Sequence, residues 1–246
     1  MKRYLSVALI VAMSFGLAMN ARHSEASTIV SYVASGDPGG APDANGQSVD
    51  VWTTTQSPTG GSGSGFFSPF GLPATPWVLF SYPNGVDGSI QADHPFSGGS
   101  LGIGQTVSID WANRAIDPGG AVGVSLTNGG TAVATVKFVG GDPDGVYRYD
   151  DAGGANQSTG EGFAYQNMQT FKFTLNSATA YTASYGATSW SGTIGGAIDG
   201  IQVFNNGGGN GSDVPFNNLG VVAEPSSVIL ASLAGVCFLS LRQRKK

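Results

Sequence analysis

Ala121-Val122-Gly123-Val124-Ser125-Leu126-Thr127, then Asn128-Gly129-Gly130, then Thr131-Ala132-Val133-Ala134-Thr135-Val136-Lys137-Phe138-Val139, decides the fold. Both flanks are rich in Val and Thr, which suit a pleated, half-buried surface. The Asn-Gly step between them accepts the positive φ that a tight hairpin turn demands. The stretch predicts two antiparallel strands. If Lys137 faces solvent, period-two alternation places Ala132, Ala134, Val136 and Phe138 inward.

The same alternation recurs on either side. In Thr106 to Trp111, Val107, Ile109 and Trp111 share one face, which makes Trp111 a core residue; in Met168 to Leu175, Phe171, Phe173 and Leu175 do the same. Further strands are expected at Thr28 to Ala34, Val49 to Thr55, Trp77 to Tyr82, Val146 to Asp150, Tyr181 to Tyr185, Ile198 to Phe204 and Leu219 to Val222. A dozen or so short strands without a fixed-period repeat imply an all-β, antiparallel β-sandwich of the jelly-roll kind. The Gly, Ser and Pro of Gln56 to Pro76 suggest a linker, but Phe66, Phe67, Phe70 and Leu72 favour a loop packed on the sandwich.

Composition supports one β domain over residues 27–222. Of the 39 glycines, 37 lie between Ser27 and Ala223, where helix formers are scarce. That segment sets Arg114, Lys137, Arg148 and Lys172 against thirteen Asp and Glu161, a net charge of −10. Such a surface repels phosphate backbones, so nucleic acid is not an expected partner. Cys237 is the single cysteine, so burial and strand pairing must hold the fold without an intrachain disulfide.

The chain ends carry a different pattern. Lys2-Arg3, an apolar run from Tyr4 to about Met19, and the small residues Ser24 and Ala26 before Ser27 read as a secretory signal helix over 1–26, cut between Ala26 and Ser27. The alternative, an uncleaved anchor, has a run shorter than the ~20 residues a span needs. At the other end Glu224-Pro225-Ser226-Ser227 precedes an apolar helix over Val228 to Leu241, and Arg242-Gln243-Arg244-Lys245-Lys246 closes the chain. A short apolar helix followed by a basic cluster is a stop-transfer arrangement, and fourteen residues suit a transient hold.

That order over 223–246 resembles the PEP-CTERM sorting tail of Gram-negative bacteria that make extracellular polysaccharide, with Ala223 where the naming motif has its first Pro. The resemblance implies Glu224, Pro225, Ser226 and Ser227 as the sorting motif. It also implies an exosortase-type membrane protease and the secretion machinery as partners, with a passage through the inner membrane to the cell surface or the extracellular space. An ordinary tail anchor is the alternative. Ala197 to Asn205, where Ile198-Asp199 introduces an apolar alternating strand, resembles the late strand of concanavalin-like or LamG-like jelly rolls. Gly209 to Leu219 is similar to the end of many PEP-CTERM surface proteins.

Catalytic signals are poor. Gly98-Gly99-Ser100-Leu101-Gly102 spells a G-x-S-x-G nucleophile motif, but a strand is expected where the motif needs a helix, and His94, read as a loop histidine, precedes the serine. Glycoside hydrolysis needs two carboxylates. The Glu-x-Asp-x-x-Glu strand that resembling glucanases use is absent, and Glu161 is the only glutamate of the body. No enzyme activity is expected. Asp142, Asp144, Asp150 and Asp151 bracket a short strand and could supply oxygen ligands to calcium, although Gly153 stands where an EF-hand has its closing Glu; acidic turns that solvate the edges are the alternative. Asn205, Asn206, Asn210 and Asp213 form a weaker cluster, and calcium is the one cofactor considered. Of Trp52, Trp77, Trp111 and Trp190, Trp190 between Ser189 and Ser191 is the candidate for stacking on sugar rings. The functional expectation is an exported structural or adhesive surface protein; the alternatives are a polysaccharide-binding module, calcium-assisted or not, and a glycoside hydrolase.

Overall fold

The computed structural model describes residues 52–57, 62–66, 76–81, 88–96, 98–207, 209 and 212–223. Residues 29–221 form one compact unit; 1–28 and 222–246 form a second, of which only Val222 and Ala223 are described. The expected signal helix, the sorting residues Glu224 to Ser227, the C-terminal helix, Cys237 and the strand at Thr28 to Ala34 lie outside the described residues.

The described chain is all β. Its strands are β1 (Thr53–Ser57), β2 (Ser62–Phe66), β3 (Trp77–Ser81), β4 (Ser89–Pro95), β5 (Gln105–Trp111), β6 (Ala121–Asn128) and β7 (Thr131–Val139). They continue with β8 (Val146–Asp151), β9 (Gly154–Gly162), β10 (Gln169–Leu175), β11 (Ala180–Tyr185), β12 (Thr188–Thr193), β13 (Gly200–Asn206) and β14 (Ser212–Ala223). One seven-stranded sheet runs β1-β4-β13-β6-β7-β8-β9 and the other β12-β11-β10-β5-β14-β3-β2. Every recorded pairing is antiparallel, so the architecture is a two-sheet antiparallel sandwich.

The β6–β7 hairpin turns at Gly129 (φ 55°) and Gly130 (φ 79°), one residue later than the expected Asn-Gly step, because Asn128 pairs with Thr131 as the last residue of β6. Ala134, Val136 and Phe138 are buried as expected, but Ala132 is exposed. A bulge makes Thr127 face Ala132 while Leu126 faces Ala134. The extra residue, Val133, packs against the core instead, and Ala132 turns outward. Lys137 does lie on the outer face, where it is ion-paired with Asp150.

Aromatic rings fill the space between the sheets. Trp111, with no exposed surface, stacks on Tyr185 at 4.9 Å, and Tyr147 meets both edge-on at 5.6 and 4.6 Å. Each such ring contributes roughly 2–3 kcal/mol by leaving water. The hydroxyls are not stranded: Tyr147 donates to Asn113 Oδ1 at 2.7 Å and Tyr185 to the Trp111 carbonyl at 3.2 Å. Burial pushes the Tyr147 hydroxyl up to about 12. Trp52, Trp77, Phe216 and His94 form another ring cluster.

The two sheets are joined along the β8–β12 edge. Ala152 N–H donates to the Thr193 carbonyl at 3.0 Å, and Asp151 accepts both Thr193 N–H at 3.1 Å and the Tyr181 hydroxyl at 2.9 Å. β2, β4, β9 and β12 were not expected as strands. Within Gln56 to Pro76 the structure has a strand at Ser62–Phe66 where a packed loop was expected; Phe67, Phe70 and Leu72 lie outside the described residues. His94 is a strand residue, 2% exposed, not a loop histidine, because Ile90, Ala92 and His94 form the inward row of β4.

Candidate functional site

An open cleft of about 350 Å³ lies where the end of β4, the β6–β7 turn and the start of β13 meet. Its backbone frame is tied from three sides. Asp199 N–H donates to the Thr127 carbonyl at 2.8 Å, Phe96 N–H donates to the Asp199 carbonyl at 2.8 Å, and Leu101 N–H donates to the Ile198 carbonyl at 2.7 Å. The Asp199 carboxylate takes the Gly129 N–H on both oxygens, at 3.0 and 2.9 Å, which clamps the hairpin tip. Gly200 lines the cleft where its neighbours pack closely: a Cβ there would stand 2.8 Å from Thr127 Oγ1 and 3.0 Å from the His94 carbonyl, so no side chain fits without a shift.

Asp93 forms the opposite wall. Its carboxylate accepts Gln202 Nε2 at 2.7 Å and Gln91 Nε2 at 3.0 Å. Neither Asp93 nor Asp199 belongs to an ion pair among the described residues. The cleft thus offers carboxylate oxygens held by neutral donors. Such acceptors match the hydroxyl groups of a polar, uncharged ligand.

The cleft opens onto the outer face of its sheet. Strand register aligns Thr53, Asp93, Gln202, Ser125, Thr135 and Asp150 across β1, β4, β13, β6, β7 and β8. All six side chains can hydrogen-bond, and Ser125 and Thr135 do so with each other at 2.8 Å. The inward partners of this row, including Ala92, Val203, Val124 and Val136, are fully buried. Alternation therefore separates a dry core from a polar outer row, in which Ser125 is itself buried.

The four expected calcium ligands do not converge. Arg148 holds Asp142 through Nε at 2.6 Å and Nη2 at 2.8 Å, and pairs with Asp144 as well. The Arg148 hydrogen bonds, then the Asp144 backbone N–H, lower Asp142 to about 2. Asp150 pairs with Lys137 and accepts Asn156 N–H. Asp151 accepts Tyr181, Thr193, Gly153 and Gln157 donors, and although burial would raise its pKa, those bonds together lower it. Among the described residues no group of three or more acidic, His or Cys side chains is arranged to hold a metal ion. Sequence spacing could not show that each carboxylate already has a cation or amide partner.

Trp190 is also placed differently from expectation. Its ring lies against Tyr149 at 5.3 Å with 26° between the planes, and it packs on the core with Phe171. One face is therefore taken by protein, because β12 turns Thr188, Trp190 and Gly192 toward the sandwich interior. Asn205 is buried and donates to the Ser212 carbonyl at 2.6 Å; Asp213 faces Arg114; Asn206 is exposed; Asn210 lies outside the described residues. Ser100 is exposed in a turn followed by strand β5, without the helix its motif requires.

The cleft residues were missed because their meeting is long-range: Gly129 and Asp199 are 70 residues apart in sequence. The Asn-Gly turn and the Ile198-Asp199-Gly200 step were legible signals, but nothing local says they touch.

No family model matches the sequence, and no curated protein matches it. Among solved structures, a carbohydrate esterase from the Shiga toxin-encoding bacteriophage phi24B is similar at TM-score 0.49 and 16% identity, over 81% of this chain and 99% of that one. The Emp47p carbohydrate recognition domain is similar at TM-score 0.47 and 12% identity, over 82% and 98%. An alginate lyase from Corynebacterium sp. is similar at TM-score 0.40 and 11% identity, over 59% and 67%. These likenesses assign no residue and no ligand to this chain.

Proposed function

We propose that this chain is an exported cell-surface or extracellular-matrix protein whose concanavalin-like jelly roll binds neutral polysaccharide through the Asp93–Asp199–Gly200 cleft. The observation that carries the binding reading is the cleft itself: an open volume of about 350 Å³ lined by Asp93 and Asp199, two carboxylates in no ion pair among the described residues. The net charge of −10 over 27–223 disfavours polyanionic glycans and leaves neutral ones. Export and surface sorting rest on the chain ends, from Lys2-Arg3 to Ser27 and from Glu224 to Lys246. No reaction is assigned to the sandwich.

Affinity electrophoresis of the full chain in mild detergent, through gels containing hydroxyethylcellulose or galactomannan, tests the cleft. Retardation that falls in Asp199→Asn and Asp93→Asn, with thermal unfolding retained, is the expected result. Equal retardation of both variants and wild type refutes the cleft. Mass analysis of protein from the native host tests the export reading: an N-terminus at or near Ser27 and loss of everything beyond about Glu224 are expected, and an intact Lys246 refutes the sorting step.

A further inference from the structure

The end of the sandwich away from the cleft carries the one aromatic ring that is both large and exposed among the described residues. Tyr165 is 51% exposed. The other exposed large apolar side chains, Ile103 and Val222, are aliphatic. Register fixes the polarity of the sheet: Thr127, Gly200 and Pro95 face one another at the cleft end, and Ala121, Asn206 and Ser89 at the other. Asn205 bonds to Ser212, and Arg114 N–H donates to the Asp213 carbonyl at 3.3 Å, which places Arg114 beyond the Asn206 end. Six residue steps separate the two ends, about 20 Å along the strand.

The ring is held in place before any ligand arrives. Tyr165 stands edge-on to Phe163 at 6.0 Å, and Phe163 stacks on the core residue Phe138 at 4.5 Å. Asn113, which has no exposed surface, ties the surroundings together. Its Oδ1 accepts the Tyr147 hydroxyl, its Nδ2 donates to the Arg114 carbonyl at 2.9 Å, and its own carbonyl accepts Gln166 N–H at 3.2 Å. Gln166 has φ of 60°, a left-handed conformation that a non-glycine residue rarely adopts. Its strain is accepted where the loop must present its neighbour in one orientation. The neighbouring Tyr165 hydroxyl, and then Asp213 at 3.5 Å, raise the pKa of the half-exposed Arg114 guanidinium.

A rigid, exposed phenol ring beside a guanidinium is a low-entropy surface for an apolar ring face bearing polar edges. We propose that Tyr165 and Arg114 form a second saccharide contact, which takes a pyranose of a neutral glycan face-on against the phenol with a ring hydroxyl on Arg114. This proposal rests on the reading of the chain as a glycan-binding surface protein but not on the cleft. If the cleft binds as well, contacts at opposite ends let one molecule bridge two polysaccharide strands, and that cross-linking role alone rests on both sites.

The test uses the full chain in mild detergent with hydroxyethylcellulose and galactomannan, and alginate as the polyanionic control. Tyr165→Ala should lower the affinity for a neutral gel by about tenfold, Tyr165→Trp should keep it, and far-ultraviolet circular dichroism and cooperative thermal unfolding should be retained in both. Light scattering from galactomannan mixed with protein should rise for wild type and fall to baseline for either Tyr165→Ala or Asp199→Asn. If Tyr165→Ala behaves as wild type while Asp199→Asn loses retardation, the second contact is wrong and the cleft stands. Loss in Tyr165→Ala alone removes the cleft and keeps this site. Wild type that no neutral gel retards, or that alginate alone retards, overturns both.

Discussion

Replacing Asp151 by Ala opens the seam between the two sheets, and its cost follows from four bonds. Oδ1 accepts Gly153 N–H at 2.8 Å and Gln157 Nε2 at 2.9 Å; both donors sit at the surface and can turn to water. Oδ2 accepts Tyr181 Oη at 2.9 Å and Thr193 N–H at 3.1 Å, and these reach into the other sheet. Tyr181 is 2% exposed, so its hydroxyl loses its partner with little access to solvent. A bond to a charged acceptor contributes about 1.5–3 kcal/mol; counting the two cross-sheet bonds at the lower figure gives about 3 kcal/mol. For a domain of this size that corresponds to a fall in Tm of roughly 6–12 °C. Asp151 is held below the ordinary carboxylate range, so its contribution is present above its unfolded pKa and is lost as pH falls through the lower folded value. Thermal unfolding of wild type and Asp151→Ala, followed by circular dichroism, should differ at neutral pH and converge in strong acid. Tyr181→Phe should cost less, and the double variant should cost less than the two single variants added together. A Tm for Asp151→Ala within a degree or so of wild type at neutral pH would refute the seam.

Trp190→Ala removes a ring packed on Tyr149 and Phe171, so it should destabilise by about 3 kcal/mol without changing retention on neutral glycan gels; the reverse pattern would restore Trp190 as a sugar platform. Millimolar calcium should leave Tm where a chelator leaves it, since Asp142, Asp144, Asp150 and Asp151 are each engaged by protein donors; a rise of several degrees by calorimetry contradicts this. Arg148→Met should raise the Asp142 pKa from about 2 toward the usual carboxylate value, measured by NMR titration, and an unmoved value would mean that the backbone N–H bond alone holds it down.

Strands with strict alternation were legible: β5, β6, β7, β10 and β11 all begin and end within two residues of their predicted bounds. β9 was not, because Gly154-Ala155-Asn156-Gln157-Ser158-Thr159-Gly160-Glu161-Gly162 has no large apolar residue to mark a face. It is an end strand, and its pairing with β8 shifts register twice. β4 hid for another reason: its inward row ends on His94, a residue read as polar, which stacks beside Trp52 at 4.9 Å. Charge composition gave the acidic balance but not its distribution. Arg148 and Lys137 pair with Asp142, Asp144 and Asp150, whereas Asp93 and Asp199, which line the cleft, belong to no ion pair among the described residues.

The cleft's rigidity follows from the hairpin that decided the fold. A turn with two glycines at positive φ would fluctuate if left alone, since glycine restricts its backbone least. Here Asp199 takes the Gly129 N–H on both oxygens while its own N–H and carbonyl are tied to Thr127 and Phe96. One residue therefore lines the cleft and fixes the hairpin tip that borders it. Because the clamp is already formed in the free protein, a ligand need not pay to order the tip, and affinity is gained through preorganisation. Asp199→Asn keeps a single acceptor oxygen, so its effect has two parts: a lost ligand contact and a loosened Gly129-Gly130 tip. Amide hydrogen exchange at Gly129 separates them. It should quicken in Asp199→Asn and remain slow in Asp93→Asn, whose carboxylate touches Gln91 and Gln202 but not the turn. Equal exchange in both would mean that the strands themselves, and not the Asp199 clamp, hold the hairpin tip in place.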